Sequence, residues 1–261
     1  MGRNDVTYCV CTYNSALTLE KCLRSIRSIS EDPILVVDHY STDSTVQIAR
    51  RYTDMIAQEN VGLGYARQLC LDRVKEGLIV FVDGDVEIIR RTFLRESVEI
   101  LADGRFGAVV GMTNTQKLRL GLPASLLVIR KRDFPGKIVP EVVDGRETFF
   151  LSRRLKDLKL RVFYLPGSIV HRSQYWKYKA EWSGAWTRML PSSKAYQILY
   201  SGFTIFLISL NSGSVVNFLI SGAVFLRFLI GFTNPEKWLH MERIPGTEGE
   251  RYAEGLRSGR T

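Results

Sequence analysis

Short apolar runs alternate with helix-patterned segments from Val6 to Leu101, and three of those runs stop abruptly at a polar cluster. Val6-Thr7-Tyr8-Cys9-Val10-Cys11 is rich in β-branched and aromatic residues and predicts a buried strand. Asn14-Ser15-Ala16 offers a helix start, and Leu17, Leu19, Cys22, Leu23 and Ile26 follow at helical spacing. The run at 34–37 is too short for a helix and predicts a second strand, and 46–49 returns to helix. The alternation continues with a weak strand at 55–57, a helix at 64–74, a strand at 78–82 and a helix at 92–101. Strands apolar on both faces predict a parallel sheet covered by helices on either side, an α/β fold. Two further short strands are predicted around Pro166-Gly167, at 161–165 and up to His171.

In such sheets ligands bind beyond the carboxyl ends of the strands. Thr12-Tyr13-Asn14, the stretch 38–43 and Asp83-Gly84-Asp85 are therefore expected to converge on one rim. Two acids flanking a glycine can be a plain Asp-Gly turn, or a site for a hard divalent cation, which takes carboxylate oxygens together with substrate phosphates. A formal charge of +9 favours an anionic partner: nucleic acid, a membrane face or a phosphorylated ligand. With 45% apolar and 24% charged residues, wholesale disorder is excluded. Cys9, Cys11, Cys22 and Cys70 show no CxxC spacing and lie in apolar surroundings, which favours buried reduced thiols over a structural zinc site. Met1-Gly2-Arg3-Asn4-Asp5 leads straight into the first strand, so no secretion signal and a cytosolic start to folding are expected.

Four blocks occur in order: Cys11-Thr12-Tyr13-Asn14; Val36-Val37-Asp38-His39-Tyr40-Ser41-Thr42-Asp43-Ser44-Thr45; Asn60-Val61-Gly62-Leu63-Gly64-Tyr65-Ala66-Arg67; and Phe81-Val82-Asp83-Gly84-Asp85. Together they resemble glycosyltransferase family 2, whose members invert at the sugar and have a GT-A fold, a Rossmann-like nucleotide-diphospho-sugar transferase domain. The resemblance runs from about Val6 to His171 and also extends to dolichol-phosphate sugar synthases. It implies that Thr12, Tyr13 and Asp38 hold the nucleoside, that Arg67 contacts the pyrophosphate, and that Asp83 and Asp85 form the DxD motif. In that motif the second acid binds Mg²⁺ or Mn²⁺ and the first reaches ribose or metal. Many members carry two consecutive acids where this chain has Asp38-His39, which leaves the donor as UDP- or GDP-linked. The catalytic base implied is Glu147, with Asp144 as the fallback, in a stretch where the usual Glu-Asp pair is replaced by Glu147-Thr148. A first-turn acid at Glu147 would also suit a helix dipole with no catalytic role. His171 matches a family histidine that approaches the metal or diphosphate, and a rim histidine with no such role fits the position equally.

From Ala195 to Leu226 the only ionisable side chains are tyrosines. A spanning helix needs about 20 apolar residues, and 191–210 and 215–234 each approach that length. The expectation is an apolar helical hairpin with both basic ends in the cytoplasm. It would span the membrane, lie in the interface, or form a soluble helical pair; Arg227 counts against the bilayer centre. The organisation expected is a glycosyltransferase domain over 1–190, a membrane-associated hairpin over 191–235 and a polar tail over 236–261. The partners expected are a nucleotide sugar, a lipid or lipid-linked acceptor at the cytoplasmic membrane face, and no nucleic acid. A sugar-nucleotide nucleotidyltransferase would carry a glycine-rich basic loop after the first strand, where this chain has Thr12-Tyr13-Asn14-Ser15. A membrane-anchored scaffold without turnover is the non-enzyme alternative, opposed by the intact acids Asp83, Asp85 and Glu147.

Overall fold

The computed structural model describes residues 6–114, 122–140, 145–172, 179–211 and 215–238. Asp144, the aromatic and basic stretch 176–178, and most of the 236–261 tail lie outside the described residues. The chain divides into two compact units, Met1–Pro140 with Glu147–Ser173, and Glu141–Arg146 with Gln174–Thr261.

The first unit begins β1 (Val6–Thr12), α1 (Ala16–Arg27), β2 (Ile34–Asp38), α2 (Thr45–Ala49), β3 (Ile56–Gln58), α3 (Leu63–Arg73) and β4 (Leu78–Asp83). It continues through β5 (Val86–Ile88), α4 (Phe93–Ala102), β6 (Phe106–Gly111), β7 (Leu126–Arg130), α5 (Thr148–Asp157), β8 (Arg161–Leu165) and β9 (Ile169–His171). The apolar runs are strands because both their faces are covered: β2 and β7 are buried along their whole length. On α1 the helical stripe buries Leu19, Cys22, Leu23 and Ile26, while Leu17, one turn earlier, is exposed.

The main sheet has seven strands in the order β3-β2-β1-β4-β7-β6-β8. The expectation of a parallel sheet is corrected here. β1 pairs in parallel with β2 and β4, and β2 with β3, but β7 runs antiparallel to both β4 and β6. Chain order leaves β1 toward β2 on one side and resumes with β4 on the other. The loops after β1 and β4 nevertheless lie side by side at the strand ends, Gly84 against Thr12 and Ser15, and together form one rim. Register sets what lines it: Thr12 lies opposite Asp38, and Cys11 opposite Asp83. The predicted convergence of three polar clusters is thus a consequence of strand pairing. A second, two-stranded sheet pairs β5 with β9 and sets Val86 opposite His171.

The second unit contains α6 (Lys179–Arg188), α7 (Lys194–Asn211) and α8 (Val215–Thr233). α6 and α8 meet backbone to backbone. A Cβ built on Gly231 would lie 1.8 Å from the Glu181 carbonyl oxygen, and one on Gly184 2.0 Å from that of Phe228. Gly231→Ala should therefore destabilise the protein by about 1–3 kcal/mol through overpacking. A thermal melt followed by circular dichroism should show a lower Tm, and an unchanged Tm would contradict so close an approach.

The expectation that 191–210 and 215–234 cross a bilayer is not met: among the described residues no helix is long and apolar enough to do so. One face of α8 is turned to protein instead. Phe228, Gly231 and Phe232 form the face of α8 turned to α6, with the Arg188 guanidinium 5.4 Å from the Phe232 ring centre. Arg227 Nη1 meets Glu181 Oε1 at 3.3 Å, and Gln197, buried on α7, donates to the Leu190 carbonyl at 3.0 Å. Phe228 and Phe232 are thus packed on protein, whereas Leu199, Phe203, Leu226 and Ile230 stay exposed.

Candidate active site

Asp38 ends β2 fully buried, and both its oxygens are engaged within the protein. Thr12 Oγ1 donates to Oδ1 at 3.0 Å, and the Ser41 hydroxyl donates to the same oxygen. The Ser41 N–H donates to Oδ2 at 2.9 Å, with Gln58 Nε2 at 3.5 Å. Asn14 and Tyr40 adopt left-handed backbone (φ 46° and 44°), and Asn14 locks the loop after β1 to the loop after β2. Its N–H donates to Ser41 Oγ at 2.8 Å, and its Oδ1 accepts the Thr42 N–H at 2.9 Å. Asp43 accepts N–H groups of Ala16 and Thr45; burial raises its carboxyl, but the Thr45 and Ala16 hydrogen bonds prevail and hold it below the usual range. Tyr13 stands exposed at this rim, its ring edge-on to His39 at 5.1 Å.

Two residues given no role from sequence complete this corner. Glu59 is buried; its Oε2 accepts the Val61 and Gly62 N–H groups at 2.7 and 2.8 Å, and its Oε1 lies 2.9 Å from His39 Nδ1. With Oε2 held by the main chain, Glu59 presents Oε1 to the His39 ring. Gly62, at φ 140°, makes the bend that starts α3, so Glu59 also fixes where that helix points. The only signal in the sequence was a lone acid between β3 and a glycine.

α3 carries Arg67 inward, its side chain 3% exposed. Nη2 bonds Asp83 Oδ1 at 2.7 Å, Nε bonds Glu147 Oε1 at 3.0 Å, and the guanidinium carbon sits 5.1 Å from the Phe81 ring centre. Burial alone would lower the guanidinium pKa; the charges of Asp83 and Glu147 overcome it and hold Arg67 above its ordinary value. Glu147, buried immediately before α5, is thereby brought to the same cation as Asp83. The hydrogen bond to Cys70, reinforced by burial, raises the Cys11 thiol, and burial raises Cys22, so these are neutral thiols; all four cysteines are free.

Asp85 follows in the turn from β4 to β5. The β5–β9 ladder returns the chain beside it: the Arg172 N–H donates to the Asp85 carbonyl at 2.7 Å, and His171 Nε2 lies 3.7 Å from Asp85 Oδ1. Asp83, Asp85 and His171 each offer one ligand atom, all within 4.8 Å of one another. Two carboxylate oxygens and one imidazole nitrogen suit a divalent cation that fills its remaining positions with water or phosphate oxygen. A Cβ on Gly84 would meet Thr12 Cγ2 and Ser15 Oγ at ordinary contact distances of 3.4 and 3.5 Å, so the turn between the two acids packs against the loop after β1.

Over residues 7–178 the sequence matches the family described as Glycosyl transferase family 2. Glycosyltransferase GlyA of Streptococcus pneumoniae serotype 4 is 34% identical over 111 residues, 38% of this chain and 16% of that protein. Glycosyltransferase AglE of Haloferax volcanii is 31% identical over 91 residues, 31% of this chain and 30% of that protein. The chain spans less than a third of the length of the curated relatives it matches. Among solved structures, glucosyl-3-phosphoglycerate synthase from Mycobacterium tuberculosis, in complex with Mn²⁺, UDP-glucose and phosphoglyceric acid, superposes with a TM-score of 0.58 at 17% identity, over 73% of this chain and 82% of that one. The same enzyme with Mg²⁺ and UDP gives 0.53 at 17% identity, over 66% and 73%. The likeness shows the fold, an α/β GT-A-like nucleotide-sugar transferase architecture on a mixed sheet.

Proposed function

The chain belongs to glycosyltransferase family 2, and from that premise we propose that it moves a sugar, with inversion, from a UDP- or GDP-linked donor to a lipid phosphate or lipid-linked glycan at the cytoplasmic membrane face. The observation that carries the donor half is the Asp83, Asp85 and His171 donor set, at the strand-end rim where Thr12 pairs with Asp38. Those three residues would hold Mg²⁺ or Mn²⁺. When bound, such a cation supplies positive charge to the oxygens of a departing diphosphate. Tyr13 and the Thr12–Asp38 pair frame the nucleoside, with Asp38 acting through the loop it fixes. Glu147 takes the proton of an acceptor hydroxyl on the face opposite the leaving group.

The membrane half of the proposal rests on a different surface. α7 exposes Leu199 (72%) and Phe203 (57%), and α8 exposes Leu226 (63%) and Ile230 (51%). With Arg188 ending α6 and Lys194 starting α7, these exposed apolar side chains suit shallow insertion in a lipid interface.

The test is binding of UDP, GDP and their sugars with and without Mn²⁺ or Mg²⁺, followed by acceptor assays using lipid phosphates and soluble phosphorylated acceptors. Metal-dependent binding of one donor is expected, and its absence for every donor would sink the transferase reading. Flotation with anionic lipid vesicles is expected to retain the protein; loss of flotation together with transfer to a soluble acceptor alone would remove the lipid acceptor.

A further inference from the structure

We infer that Arg67 is a positioning residue that orients Glu147 and Asp83 together, and that it does not contact the donor phosphates. The inference rests on the transferase reading above. The guanidinium side chain is 3% exposed, with Nη2 on Asp83 and Nε on Glu147. Phe81 packs against its plane. Its helix is aimed by the bend at Gly62, whose N–H is held by buried Glu59. Each feature fixes the guanidinium in place rather than presenting it to a ligand at the rim.

The consequence falls on Glu147. This carboxylate is itself buried, and among the described residues its charged partner is Arg67. The Nε–H bond fixes the carboxylate plane and leaves the second oxygen to take a proton. The same guanidinium, through Nη2, holds one oxygen of Asp83, leaving the other for the metal site. A lysine would retain the charge, but an ammonium lacks the fork that serves two carboxylates in set directions.

Arg67→Lys separates the roles. Nucleotide affinity is read by calorimetry with Mn²⁺ and UDP or GDP, whichever the wild type binds. Turnover is read as hydrolysis of the matching nucleotide-glucose. The expected result is kcat lower by about 100-fold, the scale of a misaligned general base, with donor KM and nucleotide affinity within about threefold. In a Glu147→Gln background the same change should cost about tenfold or less, since the part of its effect that runs through Glu147 is gone and the Asp83 contact remains. A large loss of nucleotide affinity with kcat retained would make Arg67 a phosphate ligand and overturn the inference. So would full additivity with Glu147→Gln. Should Arg67→Lys fail to fold, Arg67→Gln is read in its place: a lower kcat with nucleotide affinity within about threefold is expected, and a large loss of affinity with kcat retained overturns the inference. Wild-type protein that binds neither nucleotide in a metal-dependent way is a separate outcome, and it removes the transferase reading itself.

Discussion

Asp85→Ala is expected to lower metal-dependent donor turnover by about 100- to 1,000-fold, the scale of losing one electrostatic contact to a leaving group. Asp85 lies in the turn after β4, and its carboxylate faces His171 across 3.7 Å. Asp83 has one oxygen on Arg67 at 2.7 Å and so has less to give a cation. Removing Asp85 takes a carboxylate from the candidate metal set while leaving the Arg67–Asp83 pair in place. The measurement is nucleotide-sugar hydrolysis across a Mn²⁺ titration. A higher Mn²⁺ requirement should accompany the loss in rate, and undiminished turnover at low Mn²⁺ would sink the metal assignment. Asp83→Ala should differ in kind. It also leaves a buried guanidinium short of one partner, so stability should fall along with rate.

The strands that build the rim were legible because each is a short apolar run that ends in polar residues. Thr12, Asp38 and Asp83 could be placed together from that pattern alone, since parallel neighbours end at the same edge. The direction of β7 was not legible: a fully buried strand reads the same whichever way it runs. Nor could the sequence show that Arg67 joins Asp83 to Glu147, because the partners come from α3, β4 and the start of α5. Glu59 was invisible for a similar reason, its donors being two backbone N–H groups and a histidine on another strand end. The C-terminal helices show the limit of hydropathy. An apolar run records a need to leave water, and Phe228 and Phe232 meet that need against α6 while Leu199 and Leu226 do not.

Glu147→Gln should distinguish acceptor classes more sharply than any change at the metal site. Glu147 is buried and held at one oxygen by Arg67, and glutamine keeps the shape while losing the ability to accept a proton. With a hydroxyl acceptor the rate should fall by about 100- to 10,000-fold, the contribution of a well-placed general base. A phosphate acceptor arrives already ionised and needs no base, so transfer to a lipid phosphate should change by less than about tenfold. Donor affinity should stay close to wild type with either acceptor. The comparison therefore reads the acceptor from the enzyme's side: a collapse confined to hydroxyls makes Glu147 the base, and equal losses for both make it a binding group. Hydroxyl transfer that proceeds at the wild-type rate would leave the proton to another acid, and the position of Glu147 on Arg67 would then be a matter of folding alone.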